Sequence, residues 1–412
     1  LNKKILFSLA ASVLGNVLEH YDTALFGLLI PLLAPSFFPQ TDPINSLILT
    51  FGILPIGLLT RPLGAIFFGR IGDTFGRKQA LVSSLLGTAF VTMSMGFLPT
   101  YANIGLGAPC LLIFTRMLQS FFAAGESVGG AIFLLEQTSK TKKQSLFSSI
   151  YDASSLIGGL LATLVVSCFH NSTYSWRIPF WIGGLTALVG FALRITAKEP
   201  ARQTSIPKTA MKTVLWEHKK TLARIVLVTG FSYTIYAFSF SFLGGYLPLI
   251  SSLSFQEVTQ ASSLLCVADI LLLPLFGSIA CLWGKERLMQ TSALTTFCLA
   301  IPLFASFQDA SFLHMTLVRL LFVIFGTSFA APYYAWALQQ VPPTCRYTIL
   351  ATGTAIGSQL LGATISPLAL WLYQITKWPA IPGLLTAILA LGAALVVRKS
   401  KQPSINLSLS VK

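Results

Sequence analysis

Four carboxylates and one arginine in the first half of the chain stand inside stretches that are otherwise apolar. Glu19 and Asp22 lie in Gly15-Asn16-Val17-Leu18-Glu19-His20-Tyr21-Asp22; Arg116, Glu126 and Asp152 follow in later apolar runs. An ionisable group inside such a run costs several kcal/mol, so each is a functional hypothesis by default. Glu19 and Asp22 are three positions apart and share one face of a helix. Two carboxylates confined in a low-dielectric cavity cannot both stay ionised cheaply, which suits a group that takes up and releases a proton. Arg116 and Glu126 are ten positions apart, about 15 Å along a helix axis. They cannot pair with each other, so each needs a partner from another segment. Arg116 is expected to meet Asp22 or Glu19 as a coupling pair, and His20 is expected to point elsewhere. The competing reading is a hydrogen-bonded network that only ties helices together.

Composition says what must position these groups. Of 412 residues, 54% are hydrophobic and 10% charged, against about 25% charged in a soluble protein. Twelve apolar runs are long enough to cross a bilayer, at 5–34, 45–69, 79–98, 108–136, 145–168, 177–197, 222–250, 257–281, 287–306, 311–340, 347–374 and 378–398; a span needs about 20 residues. The expected organisation is a six-helix bundle over 1–197, a polar linker over 198–221, a second bundle over 222–399 and a tail over 400–412. Lys3, Lys4, Arg77, Lys140, Lys142, Lys143, the linker lysines, Lys285, Arg287, Arg346 and Arg398 all fall on one side. By the positive-inside rule that side, with both termini, is cytoplasmic. The same placement explains the net charge of +15 without nucleic acid as a partner. The six cysteines are scattered without metal-ligand spacing, so no metal site is expected. The first apolar run is too long for a cleavable signal peptide.

One polar turn stands out: Gly69-x-x-Gly72-Asp73-x-x-Gly76-Arg77-Lys78, between the second and third runs. Asp73 can cap a neighbouring helix N-terminus, and Gly72 and Gly76 permit the bend. This spacing resembles the helix two–three loop of the major facilitator superfamily of transporters. The resemblance implies an all-α membrane fold of twelve transmembrane helices in two six-helix bundles, with a cavity lined by helices one, four, seven and ten. It also implies that the loop latches the cytoplasmic side, with Arg61, Asp73, Gly76, Arg77 and Glu136 as gating residues. The matching turn of the second half has Cys281 where the pattern has Asp, so no gating role is expected there.

Glu19-x-Tyr21-Asp22, Arg61-Pro62-Leu63-Gly64, Arg116-x-x-Gln119 with Gly125-Glu126, and Trp176-Arg177-Ile178-Pro179 together resemble the metabolite:proton symporter family. Asp152 falls where its proline/betaine members carry an aspartate. The resemblance implies a proton-coupled importer driven by the proton gradient without a cofactor, working as a monomer in a bacterial inner membrane. The balance of charges narrows the solute. One midspan arginine, Arg116, stands against Glu19, Asp22, Glu126 and Asp152, which suits a zwitterion such as proline, glycine betaine or another amino acid. A mono- or dicarboxylate such as 2-oxoglutarate is the alternative. Tyr21, Tyr233, Tyr236, Tyr333, Tyr334 and Trp336 are candidate cavity aromatics able to hold an ammonium group by cation–π attraction. A membrane-embedded enzyme would need a nucleophile–base pair or a metal cluster, and no such motif is present.

Overall fold

The computed structural model describes residues 3–39, 60–139, 141–169, 172, 175–196, 211–308 and 310–398. Twelve principal helices run through these residues. The first half holds α1 (Lys3–Phe37), α2 (60–74), α3 (Arg77–Met95), α4 (Gly107–Gln137), α5 (Gln144–Phe169) and α6 (Arg177–Thr196). The second holds α7 (Lys219–Ile250), α8 (Phe255–Trp283), α9 (Lys285–Ala305), α10 (Phe312–Gln340), α11 (Arg346–Thr376) and α12 (Ile381–Arg398). Among the described residues, nine of these are long and apolar enough to cross a membrane. The others are α2, which begins at the edge of the undescribed stretch 40–59, α6, whose apolar part is counted over Arg177–Ala192, and α3 with its Ser83, Ser84, Thr88, Thr92 and Ser94.

The helices form two groups. In one, α1 packs on α4, α5 and α6, and α3 packs on α4 and α6. In the other, α7 packs on α10, α11 and α12, and α9 packs on α10 and α12. The groups meet where α5 packs on α8 and where α4 meets α11. Small residues allow that approach: a Cβ on Gly277 of α8 would strike Ser149 of α5, and one on Gly69 of α2 would strike Thr348 of α11. The two halves repeat one device. Gly76 (φ 116°) precedes α3, and Gly284 (φ 96°) precedes α9. Each turns the chain sharply in a conformation that favours glycine.

Part of the expected linker is helical. Met211–Glu217 forms two turns, and α7 already begins at Lys219; residues 197–210 and 399–412 lie outside the described residues. Two long helices change pitch. A π segment interrupts α7 at Phe238–Phe242 and another interrupts α11 at Gly357–Ala363. The first is tied to its neighbours by Arg319, whose guanidinium donates to Ser239 O at 2.8 and 3.2 Å, to Val258 O at 2.8 Å and to Ser262 Oγ at 2.5 Å. This buried cation of α10 therefore fixes α7 and α8 through carbonyl oxygens rather than through a carboxylate.

Candidate functional site

A cavity of about 900 Å³ lies between the two groups of helices. α1 contributes a single stripe to it, Asn16, His20, Thr23, Ala24, Gly27 and Leu28, the spacing of one helical face. α5 faces it with Asp152, Ser155, Leu156, Gly159 and Leu160. Arg61 of α2, Asp269 of α8, and residues of α7 and α10 complete the wall. The expectation that α4 lines the cavity is corrected, since no described α4 residue does. Its inner face is covered instead. Tyr347 donates to Gly125 O, and the Tyr151 hydroxyl lies 3.1 Å from both Glu126 O and Ser127 O.

The cavity's charged centre is built on Glu19, whose side chain is 1% exposed. Its Oε1 accepts from Arg61 Nη2 at 2.7 Å, from Ser127 Oγ at 3.2 Å and from Thr23 Oγ1 at 3.4 Å. His20 Nδ1 lies 2.7 Å from Oε2 and 3.0 Å from Asn16 O. Arg61 also donates to Ser127 Oγ at 2.5 Å. Arg61 is thus a site residue rather than a member of the latch. The sequence reading ended its helix at residue 69, but α2 continues to 74. Arg61 therefore stands twelve residues before Asp73, about 18 Å away along the axis. His20, expected to point elsewhere, sits in the middle of the α1 cavity stripe.

Arg116 and Asp22 are corrected in the opposite sense. Both are buried away from the cavity lining, and no ion pair joins Arg116 to Asp22 or Glu19. Arg116 donates to Gln119 Oε1 at 2.6 Å and stacks over Phe26 with its carbon centre 4.8 Å from the ring centroid. Asp22 accepts from Thr92 Oγ1 at 3.2 Å. Gln119 in turn donates to Thr92 at 3.1 Å. These groups form a polar island between α1, α3 and α4, outside the cavity lining. Asp22 is two positions past His20, about 200° around α1, and that angle turns it away from the cavity face.

Glu126 finds its partner on another helix: Arg194 of α6, in an ion pair with both side chains 1% exposed. Gly15 makes the room, since a Cβ there would collide with the Glu126 carboxylate. Arg194 was missed because it falls in the last turn of α6, where a basic residue reads as a topology signal. Glu126 does not line the cavity.

The far wall carries Asp152 and Asp269. Asp269 accepts from Thr327 Oγ1 at 2.6 Å. Tyr233, Tyr236, Tyr333 and Tyr334 line the cavity around them. Tyr333 shares hydrogens with Thr229 at 2.6 Å and Thr354 at 2.9 Å. Two of the expected aromatics are elsewhere. Trp336 is 0% exposed in the apolar core, with its ring centroid 6.5 Å from that of Tyr333, and it does not line the cavity. Tyr21 is buried among α1 and α6 residues and donates to Pro179 O at 3.0 Å.

At one end of the cavity the two halves are bolted together by the polar turn. Asp73 accepts from Tyr347 N at 3.1 Å and Thr348 N at 2.8 Å, capping α11 of the other half. It also holds Arg77 at 2.5 Å. Arg77 donates to Glu136 at 3.2 and 3.3 Å and to Pro343 O at 3.1 Å. Arg346 adds a bond to Glu136 at 3.0 Å. The Tyr347 ring slots into space left by Gly72 and Gly129, where any Cβ would overlap it. Gly76 forms the bend between α2 and α3. Asp73, Gly76, Arg77 and Glu136 thus meet in one closed contact, joined from the other half by Tyr347, which the sequence reading did not name, and by Arg346, which it read only as a marker of topology.

The comparisons with known proteins agree with this geometry. The chain is 27% identical over 414 residues to the proline/betaine transporter of Salmonella typhimurium (strain LT2), covering 94% of this chain and 81% of that protein. It is 26% identical over 416 residues to the proline/betaine transporter of Escherichia coli (strain K12), with the same coverage. Its fold is similar to that of a proton:xylose symporter bound to 6-bromo-6-deoxy-D-glucose, with a TM-score of 0.70 at 16% identity over 96% of both chains. The sequence profile described as Major Facilitator Superfamily matches residues 12–256. Two groups of helices around a central cavity, a cross-half latch at one end and that match together make this an integral, multi-pass membrane protein, and the chain belongs to the Major Facilitator Superfamily.

Proposed function

We propose that the protein is a proton-coupled importer of a small zwitterionic solute, such as proline, glycine betaine or another amino acid, working by alternating access. The observation that carries this reading is the separation of charges across the cavity. Arg61 stands on one wall, and Asp152 and Asp269 stand on another among tyrosines. A solute carboxylate fits the guanidinium, and its ammonium group fits a carboxylate or an aromatic face. This replaces Arg116 by Arg61 as the carboxylate partner. The names of the two bacterial relatives support the same solute class.

In this reading the latch end faces the cytoplasm, as do both termini, and the protein works as a monomer in a bacterial inner membrane. The proton gradient supplies the energy, no cofactor takes part, and the chain is not an enzyme. The halves 1–197 and 222–399, joined by the segment 198–221, rock about the cavity, and the latch opens once per cycle. A dicarboxylate is the second reading. It is disfavoured because Arg61 is the one guanidinium among the described lining residues, and two negative charges in a dry cavity need paired cations. Counterflow of labelled proline in proteoliposomes, competed with amino acids, betaines and dicarboxylates, tests the proposal. Inhibition by proline or betaine is expected; inhibition by 2-oxoglutarate or citrate alone overturns it.

A further inference from the structure

The cavity's charged centre contains a group that neither the family match nor the relatives' names assign. We propose that His20 takes the coupling proton and that its protonation turns the His20–Glu19–Arg61 cluster into the site for the solute's carboxylate. The inference rests on the symport reading above and names the device that would couple its two substrates.

Geometry fixes the tautomer. Nδ1 of His20 faces two acceptors, Glu19 Oε2 at 2.7 Å and Asn16 O at 3.0 Å, so Nδ1 carries the hydrogen. Nε2 then holds the lone pair of a neutral ring. The side chain is 32% exposed, and the residue lines the cavity, while Glu19 is sealed behind it. A hydronium ion in the cavity water therefore reaches Nε2 and not Glu19. The N–H bond forms at Nε2, the hydronium is left as water, and no other bond changes.

The charge count supplies the coupling. With His20 neutral, Arg61 and Glu19 cancel, and the cluster offers no net attraction to an anion. With His20 protonated, Glu19 is shared between two cations and the cluster carries a net charge of +1. Arg61, 21% exposed, is then free to bind a carboxylate from the cavity. Binding of proton and solute becomes mutual, because the factor by which one favours the other is the same in both directions.

The charged neighbours of His20 work for and against this. Glu19 on its own helix holds Nδ1 at 2.7 Å, while Arg61 on α2 and Asp152 on α5 line the same cavity. Asp269 on α8 and Tyr233 on α7 lie further round the same cavity. Asp152 is the rival proton carrier, so the test must separate the two.

The experiment uses the purified full-length protein with proline and glycine betaine as probes. Proton uptake on binding is read by a pH dye in weak buffer, and Kd is measured from pH 5.5 to pH 8. Wild-type protein should take up a proton per solute and bind roughly tenfold more tightly at the acidic end, within the range typical of coupled sites. In His20→Gln the uptake should vanish and Kd should become flat with pH, although the rival carboxylate Asp152 is left in place. Uptake that persists in His20→Gln overturns the assignment while leaving symport intact. Uptake absent from wild-type protein, or no binding of either probe, overturns the symport reading and this inference with it. Should His20→Gln not fold, imidazole nitrogen spectra of the wild-type protein decide. Its four histidines allow one ring to be followed as it becomes an imidazolium when solute is added, and no such change overturns the proposal.

Discussion

Asp73→Asn separates the bonds that hold the two halves together from those that only shape the turn. The carboxylate accepts three donors: Arg77 from its own half, and the backbone N–H groups of Tyr347 and Thr348 from the other. Asparagine keeps one acceptor oxygen. If that oxygen stays at the Oδ1 position, the new amide points its hydrogens at the Thr348 N–H, donor against donor. In the flipped orientation the Tyr347 N–H and Arg77 are lost instead. At least one cross-half bond goes either way, and the Arg77 bond does not count toward the latch because it need not break on opening. A hydrogen bond to a charged group contributes about 1.5–3 kcal/mol, so the closed latch should lose between about tenfold and a hundredfold in population relative to the open one. Spin labels at Lys142 and Thr344, exposed on opposite halves, would read this in a background lacking the six native cysteines. A longer distance should appear in the mutant, with slower turnover and normal yield of folded protein. An unchanged distance distribution and unchanged turnover would refute the reasoning.

Arg61→Gln should raise the half-saturation concentration in counterflow at least about tenfold, the order of one charge-assisted bond, whereas Arg116→Gln should lower the yield of folded protein and leave half-saturation unchanged in what does fold. Gly129→Ala should weaken the closed latch by about 1–3 kcal/mol through overpacking against Tyr347, visible in the same label distances; identical distances would show that the slot is not needed. Cys281→Ala should be nearly silent in transport, because Cys281 stands where Asp73 stands in the first half and has no carboxylate to cap the opposite half, and a loss of more than half the activity would contradict that.

The latch was legible because its physics is local. A carboxylate with glycines before and after it in a basic turn can only bend the chain and cap a helix, and Asp73 does both next to Gly76. What stayed hidden was which helix it caps, since that depends on the approach of α11 from the other half. The charge partners were hidden for the same reason. Arg61 was assigned to the latch through a five-residue error in where α2 ends, and Arg194 was not singled out as a partner. Helix ends are the least secure part of any reading from sequence, and here a shift of one turn decides between gate and cavity.

A different limit applies to the motif on α1. Glu19, His20, Tyr21 and Asp22 are consecutive, and in a string of letters they look like one cluster. A helix turns 100° per residue, so four consecutive side chains leave in four directions. Glu19 goes to Arg61 and Ser127, His20 to the cavity, Tyr21 to Pro179 on α6, and Asp22 to Thr92 on α3. Only the stripe Asn16, His20, Thr23, Ala24, Gly27 and Leu28 shares a face with the cavity. Its small and polar members could have been picked out by period alone, since a helix side turned toward water and solute need not match the apolar sides turned toward its neighbours. Reading the period before the motif would have placed His20 at the centre of the site and Asp22 behind it. The same turn therefore divides its work by angle: one residue holds the arginine, one meets the cavity, and two secure the helix to its bundle.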